Sequence, residues 1–246
     1  MHTKTSIMGV EVDLISLANL QSVTNEYLSN DRLNIYFLLT SELMREAENN
    51  ETYRNCLQQA DLILPGKQHM ITMSEELSKL PEMAIGYNAL LSMAQEVHGK
   101  RSIFLLCEDK KRVERMSEYV QMNVPMFRIV GSYTYEEHLG DEQIINAINA
   151  VVPDIVISTL PSPLQEEWIV TYALKVNAKL YIGMGGVIDA MISDTKQPPA
   201  LIRNLHLENL YYKFKGSNDS LRSRIFQRKL AQYNNKKGED DNGTFL

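Results

Sequence analysis

The sequence predicts an α/β protein: a mostly parallel sheet with helices on both faces, followed by a basic helical appendage. Three observations predict it. Short β-branched and aromatic runs such as "NIYFLLT", "RSIFLLCE" and "DIVISTL" recur with few polar residues inside, as strands covered on both faces require. Segments with helical spacing stand between them, so strand and helix alternate along the chain. Basic residues then crowd the carboxyl end. Between Leu201 and Lys237 nine Lys and Arg face two acids, an excess of +7 in a chain of net charge −6.

Taken in order, "IMGVEVDLI" reads as a strand pair or hairpin, and Leu17, Leu20, Val23, Tyr27 and Leu28 give helical spacing. "NIYFLLT" is a strand, "ETYRNCLQQA" a helix and "DLILPG" a strand. "GYNALLSMAQEVHG" is a helix that Gly99 can close. "RSIFLLCE", "FRIVGSY", "DIVISTL" and "KLYIGMGG" follow as strands. "KKRVERMSEYVQM", "DEQIINAINAV" and "PLQEEWIVTYALKV" are the helices between them, which makes the sheet Rossmann-like. Residues 1–200 are therefore read as an α/β core, with a division into two lobes near 80–100 left open. Residues 201–235 are a basic helical segment, and the polar 236–246 a disordered tail.

Composition narrows the function classes. The net charge argues against a nucleic-acid binder. Cys56 and Cys107 are the two cysteines, too few for a disulfide framework or a Cys-x-x-Cys knuckle, and a reducing cytoplasm is the expected compartment. The opening residues do not read as a signal peptide, and no apolar run approaches the roughly 18 residues of a membrane span. The five histidines are scattered without zinc-site spacing, and no Asp-x-Asp motif is present, so neither metal nor cofactor is expected.

Two junctions carry the chemistry. In "DIVISTLPSPLQEEWI", Ser162 and Gln165 have the spacing of a capping box, and Glu166 and Glu167 would complement the positive helix end. The same strand-to-helix junction is where open α/β sheets bind anionic ligands. In "GMGG", Gly183, Gly185 and Gly186 would let backbone approach a phosphate closely. Gly183-x-Gly185 matches part of a dinucleotide fingerprint, but Ile188 stands where its third glycine belongs. Leu221, Ile225, Phe226 and Leu230 alternate with Arg222, Arg224, Arg228 and Lys229, a pattern suited to an anionic membrane surface, to capping a diphosphate, or to docking on the body.

Together "DIVISTLPSPLQEEWI", "KLYIGMGGVIDAM" and "LENLYYKF" resemble the signature region of the WecG/TagA/CpsF glycosyltransferases (glycosyltransferase family 26). "IMGVEVDLISLANLQSV", "ADLILPG", "EMAIGYNALLSM" and "RSIFLLCE" extend the likeness upstream, over about 200 residues in order. The resemblance implies metal-independent, inverting transfer of a hexose such as N-acetylmannosamine from a UDP-sugar. The acceptor would be a polyprenyl-diphosphate-linked sugar, and the protein would sit peripherally on the inner face of the cell membrane, alone, as a homo-oligomer or with a partner glycosyltransferase.

Thr40, Lys67 and Gln165 are the candidate catalytic residues, of which Gln165 carries over from the family's first loop. Ser162, Gln165, Glu166, Gly183, Gly185, Gly186 and Asp189 would hold the nucleotide-sugar, and Asn88, Arg222, Arg224 and Arg228 the acceptor or its diphosphate. The departures fall at ionisable positions. The family's proposed general-base aspartate corresponds to Gly66 and its arginine to Met83. Lys67, His69 and Glu42 are the ionisable side chains nearby in the pattern. Two readings follow: a divergent glycosyltransferase, or an inactive relative that serves as a binding or scaffolding subunit. A dinucleotide-binding oxidoreductase is a third.

Overall fold

The computed structural model describes residues 3–66, 100–124, 126–135 and 140–187. An antiparallel hairpin opens the chain, β1 (Thr3–Ile7) against β2 (Val10–Leu14). Its two-residue turn places Met8 and Gly9 at φ +51° and +80°, the left-handed pair that matches strand twist. Helix α1 (Leu17–Ser29) follows, capped by Ser16, whose hydroxyl accepts the Asn19 N–H. Next come β3 (Asn34–Leu39), α2 (Ser41–Asn49), α3 (Glu51–Leu57) and β4 (Leu62–Pro65). Helix α2 is absent from the sequence reading. Its stretch "SELMREAEN" is short and charged, and it is fixed by burial of Leu43, Met44 and Ala47 and by the Thr40 cap.

The second run is β5 (Arg101–Cys107), α4 (Lys110–Asn123), β6 (Phe127–Thr134), α5 (Asp141–Val151) and β7 (Ile155–Ser158). It closes with α6 (Leu164–Tyr172), a 3₁₀ turn (Ala173–Lys175) and β8 (Leu180–Gly183). The six strands β3 to β8 form one sheet in the order β4-β3-β8-β7-β5-β6, every pairing parallel. The expected α/β class with a parallel sheet and flanking helices is what forms.

The period of two divides each strand between two faces. Tyr36, Leu38, Leu62, Leu64, Ile103, Leu105, Ile155, Ile157, Leu180 and Ile182 pack with Leu20 and Leu28 of α1 and Met116, Tyr119 and Val120 of α4. The opposite set, including Phe37, Phe104, Val156 and Tyr181, is equally buried. On that side Tyr181 reaches α6, its hydroxyl donating to the Gln165 carbonyl at 3.1 Å.

Carboxylates pin the amino edge of the sheet. Asp61, just before β4, accepts the Ile35 N–H at 2.8 Å, and Asp154, just before β7, accepts the Ser102 N–H and hydroxyl, each at 2.7 Å. Each serves the start of a neighbouring strand, where the ladder has no backbone partner to offer.

Candidate functional site

Strands β3, β8 and β7 are neighbours, so whatever follows them in sequence meets at one corner of the carboxyl edge. Thr40 stands at the end of β3, buried, with its hydroxyl accepting the Leu43 N–H at 3.1 Å as the cap of α2. Residues 159–163 leave β7 and residues 184–187 leave β8. Gly66 ends β4 on the far side of β3, its N–H donating to the Leu39 carbonyl.

The expected capping box does not form. Helix α6 begins at Leu164 with Pro163 in the cap position and no side-chain cap bond. The Ser162 hydroxyl instead donates to Glu166 Oε1 at 2.9 Å, and Gln165 Nε2 donates to the same oxygen at 2.7 Å. A carboxylate is the stronger acceptor, and a fully buried amide needs partners at both ends. Gln165 finds the second across the corner, where its Oε1 accepts the Gly185 N–H at 3.1 Å. One side chain thus ties the loop after β7 to the loop after β8.

The glycines of that second loop make room for it. A Cβ on Gly183 would stand 2.9 Å from Phe37 Cδ1 and 3.2 Å from Gln165 Cδ; on Gly185, already at φ +48°, it would stand 3.1 Å from Gln165 Nε2. Gly183 and Gly185, assigned from sequence to nucleotide approach, therefore have a first duty in seating Gln165. Gly186 faces α2: a Cβ there would lie 3.3 Å from Glu42 Oε2.

Burial drives the acidities. Glu166 is fully enclosed, which raises its carboxyl above the ordinary range, while hydrogen bonds from Gln165 and Ser162 and the nearby Tyr53 hydroxyl pull it partly back. Tyr53, on α3, is pushed up by burial and then by Glu166. Glu166 Oε2 and the Tyr53 hydroxyl each lack a hydrogen bond of good geometry, as does Thr159 Oγ1. Burial also lifts the Cys56 and Cys107 thiols to about 11, so neither is a nucleophile at neutral pH. Trp168 is a strut: its ring nitrogen donates to Asp141 Oδ1 at 3.1 Å, and the Tyr172 hydroxyl donates to Oδ2 at 2.8 Å.

The structure brings together Thr40, Ser162, Gln165, Glu166, Gly183, Gly185 and Gly186. Lys67, Met83, Asn88, Asp189, Arg222, Arg224 and Arg228 lie outside the described residues, as do the basic segment and the tail. Sequence reading missed Tyr53, which carries no signal beyond ordinary helical spacing. Among the described residues no three or more His, Cys, Asp or Glu side chains gather as a metal site, and no helix is long and apolar enough to cross a membrane.

The model of the family described as "Glycosyl transferase WecG/TagA/CpsF family" matches residues 5–216, most of the chain. The chain belongs to this family. Similar proteins include the N-acetylglucosaminyldiphosphoundecaprenol N-acetyl-beta-D-mannosaminyltransferase of Staphylococcus aureus strain NCTC 8325 / PS 47. It is 24% identical over 215 residues, covering 85% of this chain and 83% of the relative. The proteins of the same name from strains COL and MRSA252 match at the same identity and coverage. Within this WecG/TagA/CpsF chain, position 66 has no space for a side chain. A Cβ there would overlap the Leu39 carbonyl oxygen and lie 2.8 Å from Val187 Cγ2.

Proposed function

We propose that this protein is a glycosyltransferase that moves a hexose of the N-acetylmannosamine type from a UDP-sugar to a polyprenyl-diphosphate-linked sugar in cell-surface polysaccharide synthesis. The family match over residues 5–216 carries the reading. The relatives' names supply the acceptor class and the sugar. The meeting of two strand-to-helix loops at one carboxyl corner supports a nucleotide-sugar seat there. In this reading the donor diphosphate lies over the loops that Gln165 joins. Ser162, Glu166 and the glycines shape those loops, and Asp189 continues the second. Thr40 and Lys67 border the reacting groups, while Asn88 and the arginines 222, 224 and 228 take the acceptor diphosphate at the inner membrane surface.

Calorimetry with UDP, UDP-N-acetylmannosamine and NAD is the direct test. A nucleotide present at 100 times its dissociation constant adds about 2.7 kcal/mol of stability. Binding of NAD with no response to any uridine ligand would overturn the proposal. For the membrane, about 1 kcal/mol per basic residue near an anionic surface predicts a large loss of liposome co-sedimentation on truncation at Ser217. Unchanged co-sedimentation would remove the surface from the reading.

The closed space at Gly66 favours a second reading, a relative that binds donor and supports another glycosyltransferase without turnover. It expects nucleotide binding with no hexosyl transfer to a lipid-diphosphate-GlcNAc acceptor.

A further inference from the structure

The corner that lacks a side chain at position 66 is supplied with a carboxylate from the helix that follows β3. Gly66 approaches Val187 at the end of β4, while the next residue back, Gly186, approaches Glu42 at the start of α2. Residues 186 and 187 therefore tie Gly66 and Glu42 to one place. Glu42 is exposed, and its two carboxylate oxygens lie 3.3 and 4.0 Å from where a Gly186 Cβ would be. Gly186 has no positive φ to demand glycine, so the room it leaves is room for Glu42.

Of the other carboxylates at or near this edge, Glu167 stands in the first turn of α6 on the side of Cys56, and four are committed elsewhere. Glu166 is enclosed and holds Ser162 and Gln165. Asp109 caps α4 through the Arg112 N–H, Glu108 pairs with the Arg112 guanidinium at 3.7 Å, and Asp141 holds Trp168 and Tyr172. Glu42 makes no hydrogen bond or ion pair among the described residues, and it stands in the first turn of α2.

We propose that Glu42 is the general base of the transfer, supplying from the end of β3 the carboxylate that the end of β4 has no room to carry. This rests on the glycosyltransferase reading. The acceptor hydroxyl oxygen forms its bond to the anomeric carbon of the donor. The bond from that carbon to the diphosphate oxygen breaks, and its electron pair leaves with UDP. The hydroxyl proton passes to a Glu42 carboxylate oxygen, which must come within about 2.6–3.2 Å of the acceptor oxygen.

The experiment compares unmodified protein, Glu42→Gln and Glu42→Asp for turnover of UDP-N-acetylmannosamine with a lipid-diphosphate-GlcNAc acceptor. UDP affinity and melting temperature are measured on each. A lost base typically forfeits about 10²–10⁴-fold in rate. The expected result is a fall in kcat of at least tenfold for Glu42→Gln, with UDP affinity and melting temperature held and partial recovery in Glu42→Asp. A smaller fall overturns the assignment. So does a parallel loss of UDP affinity, which would make Glu42 a binding or structural group. If the Gln variant does not fold, Glu42→Asp decides alone: a partial fall in kcat with intact UDP binding supports the base, and unchanged turnover, complete loss of turnover or a loss of UDP affinity overturns it. Unmodified protein that binds UDP and turns nothing over overturns the base while leaving donor binding intact. Failure to bind any uridine ligand, with no turnover, overturns the functional reading and this inference together.

Discussion

Asp154 and Glu166 stand beyond opposite ends of the same strand, β7, and their surroundings push their acidities in opposite directions. Around Asp154, burial raises the carboxyl, but the Ser102 N–H, the Ser102 hydroxyl and Arg101 outweigh it, and the net direction is downward. Around Glu166, burial dominates the hydrogen bonds from Gln165 and Ser162, and the net direction is upward. The difference is one of completion. The amino edge spends its carboxylates on strand starts, and each is met by a donor. The carboxyl edge encloses a carboxyl, a phenol and a hydroxyl that retain unmet hydrogen-bonding capacity. At the amino edge Arg101 Nε likewise lacks a hydrogen bond, while Asp13 holds the Ile63 N–H at 2.7 Å and lies 3.6 Å from the Lys4 ammonium. Unmet polar capacity beside two glycine-bearing loops is what a ligand site needs and what a scaffold edge avoids.

The sharpest break of this contrast is at Gln165. Replacing it with alanine removes the bond to Glu166 Oε1 and the acceptor of the Gly185 N–H, and leaves a void where the amide sat. Each unsatisfied buried group costs about 1–3 kcal/mol, so the expected loss is about 3 kcal/mol or more in urea unfolding. Amide exchange should speed up at Gly185, the residue across the corner. A loss below about 1 kcal/mol with Gly185 still protected would mean that the two loops are not joined through this side chain.

Gly183→Ala strains the same seat more gently. Its Cβ would press on Phe37 and Gln165, and overpacking of this kind costs about 1–3 kcal/mol. An alanine variant as stable as the parent would show that the loop has slack, and that the glycine is free for a ligand instead.

Much of this fold is legible in the amino-acid sequence. Buried parallel strands announce themselves as unbroken apolar runs, and all six in the sheet fall where "NIYFLLT", "DLILPG", "RSIFLLCE", "FRIVGSY", "DIVISTL" and "KLYIGMGG" place them. Helix α2 escaped because "SELMREAEN" offers only three apolar residues and is held by tertiary burial. At the site, the right stretches were visible but their bonds were not. Ser-x-x-Gln spacing is a capping box only if serine accepts from the helix, and here the serine hydroxyl donates instead to a carboxylate one residue beyond Gln165. The pairing of Gly185 with Gln165 spans two strands and has no local sequence signal. Neither does the approach of Glu42 to Gly186.

Asp154→Asn tests the amino edge. An amide still accepts from Ser102 but loses the charge, so the expected cost is about 1–2 kcal/mol at neutral pH, between the worth of a neutral hydrogen bond and that of one to a charged group. The sign with pH follows from the depressed acidity. The folded-state value lies below the roughly 3.9 of an unfolded aspartate, so the stabilisation is present above that value and is lost as pH falls through the lower folded value. Parent and variant should therefore differ at pH 7 and converge in strong acid, measured by urea unfolding across pH. A constant gap would mean that charge contributes nothing there.

Glu166→Gln should give the smallest effect and the opposite slope. A glutamine keeps an acceptor for Ser162 and Gln165 while removing a charge from a fully enclosed position. In the parent, the folded-state acidity lies above the roughly 4.3 of an unfolded glutamate. The folded chain thus binds the proton more tightly, and this contribution is complete below the unfolded value and is lost as pH rises through the folded one. The variant has no such loss. It should match the parent in mild acid and become the more stable of the two as pH rises past the folded-state value, with Gly185 remaining protected because Gln165 keeps its partners. Urea midpoints across that range decide it. A variant less stable than its parent at pH 7 would mean that the ionised carboxylate is satisfied in its enclosure, with Tyr53 donating to Oε2. The contrast between the two ends of β7 would then rest on geometry alone.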